Sequence, residues 1–248
     1  MPKKALKNEK IDGGSILNMY DYLPDDLLQE PENPNFKLHH LKVPFRMLIV
    51  SYSSGGKTNF LTNLLLLFSQ GKGTFSSITI VTRNKDEPLY NWLTQKSEQI
   101  QIKEGIHSLP DLDKFDKDLN HLVVMDDLVL TKDQSKAEAY FIRARKLNCS
   151  VIYISQSFYR TSKIIRSNLS YLVLLKIAGA RDLNMILSEV CTGVNKETLK
   201  RMYEFCTKEK FNCLLIDLEK GDPTQRYRHN LLSVLNCHAF AKETIGDV

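Results

Sequence analysis

Long apolar stretches are missing from this 248-residue chain. Runs such as residues 64–68 and 172–175 fall far short of the roughly 20 residues a membrane-spanning helix needs, so a membrane protein is excluded and no membrane partner is expected. The five cysteines, Cys149, Cys191, Cys206, Cys213 and Cys237, are odd in number and form no CxxC pair. That leaves scattered reduced thiols in an intracellular setting. His39-His40 and Cys237-His238 have no partners at zinc spacing, and structural roles are expected for them. Internal repeats and low-complexity tracts are also missing, and 42% hydrophobic with 25% charged residues excludes collagen-like, coiled-coil and mostly disordered chains. Residues 1–10 are lysine-rich, but no apolar segment follows them, so no secretory signal is read there. What remains is an ordinary globular composition, enough for one sizeable α/β core or two small domains.

The formal net charge is +5, and it is regional. Residues 156–230 hold 13 Lys and Arg against 8 Asp and Glu; the remaining 21 of each cancel. A basic region can mark a polyanion-binding face or a solvated lysine-rich surface.

Residues 1–42 carry Gly13-Gly14, four of the eight prolines and an acidic cluster at Asp25, Asp26, Glu30 and Glu32, and read as an arm that packs on a domain or a neighbouring subunit, mobile over residues 1–18. From Pro44 the pattern changes. Short runs at 45–51, 77–82, 121–125, 150–155, 171–176 and 212–218 are apolar on consecutive residues, the signature of strands buried on both faces. Helical periodicity falls between them, at 57–69, 88–96, 134–146, 181–189 and 196–207. Residues 99–105 alternate and predict a more exposed extra strand. Strands alternating with helices predict βαβ units, a mainly parallel central sheet flanked by helices, and ligands at the carboxyl ends of the strands. One catalytic domain at 43–220 with a tail at 221–248 is the expected division.

The most informative segment is Ser51-Tyr52-Ser53-Ser54-Gly55-Gly56-Lys57-Thr58, which follows an apolar run and opens a helical one. It matches G-x-x-x-x-G-K-[ST] except that Ser51 stands where the pattern has Gly. A strand that ends in such a loop aims backbone N–H groups at a phosphate, and the next helix adds its dipole. Gly55 and Gly56 let the backbone approach the oxygens, Lys57 reaches the β and γ phosphates, and Thr58 offers a hydroxyl to Mg²⁺. With Ser53, Ser54 and Asn59 these residues form the expected nucleotide site, for ATP with Mg²⁺.

A hydrolysing phosphate loop also needs a carboxylate at the end of a nearby strand. Val123-Val124-Met125-Asp126-Asp127 supplies two: Asp126 to orient Mg²⁺ through water, and Asp127 to polarise the attacking water, on a shorter side chain than the Glu many such ATPases use. One helix later, Tyr153-Ile154-Ser155-Gln156 ends a third buried strand in an amide placed to meet a γ-phosphate or its water. A further strand between loop strand and acidic strand is the pattern of the additional-strand P-loop NTPases, of RecA/FtsK-like type.

These motifs in this order, with Arg145-Lys146-Leu147-Asn148-Cys149-Ser150 and Ile154-Ser155-Gln156-Ser157-Phe158, resemble the HerA/FtsK superfamily, and within it the DNA-packaging ATPases of poxviruses, other large DNA viruses and virophages. The resemblance covers about residues 40–180. It departs at Ser51 and at Lys146, where many relatives have His. It implies a motor that moves double-stranded DNA into a capsid, working as a homo-oligomeric ring, pentameric or hexameric, docked on a capsid component. The implied location is the viral factory in the host cytoplasm, or the virion. It also implies an arginine supplied in trans, for which Arg143 and Arg145 are the candidates and Arg160 and Arg166 the alternatives. The basic stretch 160–228 is then the expected DNA-facing surface.

Other signals weigh less. Asn84-Lys85-Asp86-Glu87 is one residue away from a guanine-reading motif and is assigned to a solvated loop. The serines around Ser53 lack a nucleophile elbow. Tyr153, Phe158 and Tyr159 fit a core better than a base-stacking platform. An NTP-regulated assembly protein that does not pump, or a small nucleotide kinase, are the competing functions.

Overall fold

The structure is a computed structural model that describes residues 16–24, 31–190 and 193–241. Six parallel strands come first: β1 (Arg46–Val50), β2 (Ser77–Thr82), β3 (Ile100–Glu104), β4 (His121–Asp126), β5 (Cys149–Ser155) and β6 (Tyr171–Leu174). Antiparallel β7 (Leu214–Asp217), β8 (Tyr227–His229) and β9 (Ser233–Val234) extend them into one sheet of order β3-β2-β4-β5-β1-β6-β7-β8-β9. The helices are α1 (Phe36–His39), α2 (Lys57–Phe68), α3 (Pro88–Lys96), α4 (Ser135–Arg143), α5 (Lys163–Ser167), α6 (Ala180–Glu189), α7 (Lys196–Cys206) and α8 (Cys237–Phe240).

The sheet is covered on both faces because its strands are apolar on consecutive residues. Met47 and Ile49 of β1 pack with Phe60, Leu61, Leu64 and Phe68 of α2, whereas Leu48 and Val50 join Tyr140 and Phe141 of α4 and Met202 of α7. Alternate side chains of one strand therefore serve two cores, and burying each such Leu or Phe stabilises by roughly 1.5–3 kcal/mol. β3, at the edge, is the exposed alternating strand expected from residues 99–105.

Strand register aligns the chemistry. Val50 pairs with Ser155, Ile154 with Asp126, and Asp126 with Thr82, so β1, β5, β4 and β2 end level at one edge. β5 lies between the loop strand and the acidic strand, which is the additional-strand arrangement.

Two boundaries differ from expectation. The helix expected over 134–146 stops at Arg143 and tightens into a 3₁₀ turn at Ala144–Leu147, ended by Asn148 in a left-handed conformation (φ 47°). From residue 31 onward the arm packs on the domain: the buried Asn35 side chain donates to the carbonyls of Phe68 (2.9 Å) and Gln70 (3.0 Å), satisfying the end of α2, and His39 lies edge-on to Phe68. Residues 1–15 and 25–30, including most of the segment expected to be mobile and three of the four acidic positions, lie outside the described residues, as does Cys191. The expected tail is built into the fold as far as residue 241. β8 pairs with β7, Tyr227 is fully buried, and Arg228 on β8 donates to Asp217 on β7 at 2.8 Å with both side chains about 5% exposed or less. The other four cysteines are buried free thiols.

Candidate active site

The site grows from the level edge. After β1 the Ser51 amide donates to the Ser155 carbonyl (3.3 Å) and its hydroxyl to the Lys176 carbonyl (2.8 Å), tying the loop to the ends of β5 and β6. Ser51 has no positive φ, so nothing in the backbone demands glycine there. Left-handed conformations fall instead on Ser54 (φ 61°) and Gly56 (φ 95°). α2 then starts at Lys57 with no side-chain cap. Its first N–H groups are left to face an anion, and the helix dipole favours one.

A cavity of about 510 Å³ lies over this loop. From the loop side it is lined by Ser53, Ser54, Gly56, Lys57, Thr58 and Asn59; from the strand ends by Asp126, Asp127, Gln156, Thr82 and Arg83; and Asn84 and Glu87 complete its rim. A larger cleft, about 840 Å³, opens at the opposite edge around Glu32, Lys72 and Asn120 and holds none of these groups.

Lys57 Nζ donates to the carbonyls of Ser51 (3.1 Å) and Tyr52 (2.8 Å). Burial holds the Lys57 ammonium below its ordinary pKa, against the opposing pull of Asp126 and Asp127. Burial likewise pushes the Asp126 carboxyl above the ordinary range; the Tyr90 hydroxyl, donating to Asp126 Oδ2 at 2.7 Å, pulls it back, as does Lys57, while Asp127 and Glu87 push it further up. Asp127 sits at φ 54°, its amide donates to the Ile154 carbonyl (3.2 Å), and its Oδ1 accepts from Gln156 Nε2 (3.2 Å). Asp126, Asp127 and Glu87 outnumber Lys57 and Arg83 around the cavity, and a divalent cation accompanying a triphosphate would offset that excess. Thr58 and Asp126 are the residues that would hold Mg²⁺, an ion that takes few protein ligands beside phosphate oxygens.

Gly55 is the one loop residue whose expected part changes. It faces away from the cavity, and a Cβ there would stand 1.9 Å from Ser51 Oγ. Its smallness makes room for the serine hydroxyl rather than for a phosphate. Arg143 and Arg145 are not brought to the cavity. They lie at the end of α4 and in the 3₁₀ turn after it, at the amino-terminal edge of the sheet, where Arg46 at the start of β1 donates to the Phe141 carbonyl (3.0 Å), a strand's length of roughly 15–20 Å away from the loop. Arg143 pairs with Asp113 (3.0 Å) and Arg145 with Glu219 (3.6 Å), both exposed pairs of little strength. Arg166 is removed from the candidates: its nearly buried guanidinium is forked onto Glu189 (3.0 and 3.1 Å) and bonds three carbonyls. Arg228, in its buried pair, is lost to the expected DNA-facing surface for the same reason.

Tyr90, Thr82, Arg83 and Glu87 escaped the sequence reading. Residues 84–87, assigned to a solvated loop, put Asn84 and Glu87 at the cavity, because β2 neighbours β4 and ends level with it. That adjacency is tertiary, and no local pattern announces it. Tyr90→Phe should lower apparent Mg²⁺ affinity about 10-fold, the usual result of losing a group that supports a metal-binding side chain. It should also move the acidic limb of the pH–rate profile to higher pH, since the lost bond favoured the ionised carboxylate. Titrating phosphate release against Mg²⁺ and pH tests this; unchanged profiles would reject it.

The Poxvirus A32 protein family model matches residues 34–220. The chain belongs to the poxvirus A32 protein family. Among A32-like relatives, the DNA packaging protein OPG160 of Vaccinia virus (strain Copenhagen) is 26% identical over 193 residues, covering 72% of this chain and 70% of that protein. Its Variola virus counterpart is 27% identical with the same coverage. The fold resembles the genome packaging NTPase B204 from Sulfolobus turreted icosahedral virus 2, solved in complex with ATP-gammaS, with a TM-score of 0.55 at 12% identity over 77% of this chain and 98% of that one. EssC (ATPases 2 and 3) from Geobacillus thermodenitrificans gives 0.53 at 9% identity over 77% of this chain and 40% of that one. At such identities these two likenesses speak to the A32 fold alone.

Proposed function

We propose that this chain is the ATP-hydrolysing motor of genome packaging, translocating double-stranded DNA into a capsid as a homo-oligomeric ring. The observation that carries it is the meeting of loop, Asp126, Asp127 and Gln156 in one cavity, in a chain whose A32-family relatives are DNA packaging proteins. The loop amides and the α2 N-terminus bind the phosphates, and Lys57 exchanges its two carbonyl partners for β- and γ-phosphate oxygens. Asp127 accepts a hydrogen bond from the attacking water, held in line by its bond to Gln156. Tyr90 fixes the Asp126 carboxylate that, with Thr58, would hold Mg²⁺, and the ion when bound spreads the charge developing on the transferred phosphoryl group.

Arg143 and Arg145 lie too far from their own cavity to act on it, so either would serve the neighbouring subunit, releasing a weak surface pair as the ring closes. Contacts to DNA phosphates fall to exposed cations near the carboxyl edge, Arg160, Arg181 and Lys210. In this reading the motor works in the viral factory of the host cytoplasm, with a capsid component as its dock. Lys57→Ala should leave the fold intact while phosphate release falls about 1,000-fold and packaging stops, as befits removal of a group that acts on the transition-state charge. Packaging that survives in this variant would favour an assembly protein that does not pump.

A further inference from the structure

Resting on the reading of the loop as a nucleotide site, we infer that Phe211 is the stacking platform for the nucleobase. The phosphate tail has a direction. Asp126, Asp127 and Gln156 all lie on the β4 and β5 side of β1, so the γ end of a bound triphosphate points that way. Its nucleoside end must leave on the opposite side, over Gly56 toward β6 and β7.

Phe211 stands there. It belongs to the short turn between α7 and β7, and its ring edge lies so close to Gly56 that a Cβ on that glycine would be 2.6 Å from Phe211 Cδ1. The backbone at Phe211 is left-handed (φ 74°), a conformation strained for a residue with a side chain, yet 47% of the residue is exposed, so burial does not offset the strain. Strain of this kind gathers at binding sites. The turn is held by its neighbours: Asn230 accepts from the Cys213 amide (3.0 Å) and donates to Asn212 Oδ1 (3.2 Å). Lys210 Nζ lies 4.9 Å from the ring centroid. A second cavity, about 250 Å³, adjoins the ring between Tyr52, Gly55, Lys176 and the turn. It offers a planar, apolar surface rimmed by lysines, beside the loop and on the nucleoside side of it. Such a face takes a base by stacking, and Lys176 or Lys208 at the rim suits the adjoining α-phosphate.

The test is calorimetric binding of ATP and of inorganic tripolyphosphate, each with Mg²⁺, to wild type, Phe211→Ala and Phe211→Trp. Phe211→Ala should weaken ATP roughly 5- to 100-fold, the range for loss of one stacked base, with tripolyphosphate unchanged. Phe211→Trp should restore ATP affinity, and its fluorescence should respond to ATP and not to tripolyphosphate. If Phe211→Ala leaves ATP binding intact, or weakens both ligands equally, Phe211 only props the loop through Gly56 and the inference is overturned. Wild-type protein that binds neither ligand would overturn the phosphate-site reading itself, and this one with it.

Discussion

Arg228→Met is expected to remove about 3–5 kcal/mol of stability, the cost of leaving a buried charge without its partner, and to lower the Tm by roughly 10 °C. Arg228 donates to Asp217 from the neighbouring strand and also to the carbonyls of His40 and Leu231, so it joins β7, β8 and the residues before β1. Burial already raises the Asp217 carboxyl pKa, and Arg228 is the main group lowering it. Without the arginine the carboxyl rises further. A carboxyl that folding raises destabilises the native state above its folded pKa and is relieved as pH falls toward its unfolded value near 4. The loss should therefore be full at neutral pH and shrink on acidification. Replacing both residues with apolar ones of similar size should recover most of the stability. Chemical denaturation at two pH values measures all three; a loss independent of pH would mean that packing, not charge, holds β8 in place.

That pair also shows where sequence reading ended. Strands β1, β2 and β4 to β7 were legible because each must be apolar on consecutive residues to face two cores, the edge strand β3 because its residues alternate, and helices such as α3 because their period shows which side is buried. β8 carries Arg and His beside one Tyr, so its burial is visible only once Asp217 is known to lie opposite. Asp126, Asp127 and Gln156 were legible since each ends an apolar run. Tyr90 was not: a tyrosine on an amphipathic helix is ordinary core, and its hydroxyl gains significance only from the carboxylate that tertiary packing puts 2.7 Å away. Phe211 is likewise one aromatic in a polar turn until the sheet order brings it against Gly56.

Gly55→Ala should cut turnover about 100-fold, since displacing catalytic groups by about 1 Å costs that much, without unfolding the chain. The new methyl group has nowhere to go: Ser51 Oγ would be 1.9 Å away and the Tyr52 carbonyl oxygen 3.0 Å, so the loop must open. The serine that departs from the usual motif and the glycine four residues later are thus one unit, with the hydroxyl filling the space beside the glycine and anchoring the loop to the Lys176 carbonyl. Ser51→Gly alone should cost only that hydrogen bond, about 1 kcal/mol. Combined with Gly55→Ala it removes the clash, leaving a 3.0 Å approach to Tyr52 that a shift of a few tenths of an ångström relieves. Turnover in the double variant should then exceed that of Gly55→Ala by at least 10-fold, a coupling of the size seen between residues in direct contact. Steady-state phosphate release across the four proteins gives the answer. A double variant as slow as Gly55→Ala would show that the glycine serves the phosphate directly, and that the serine merely tolerates its place.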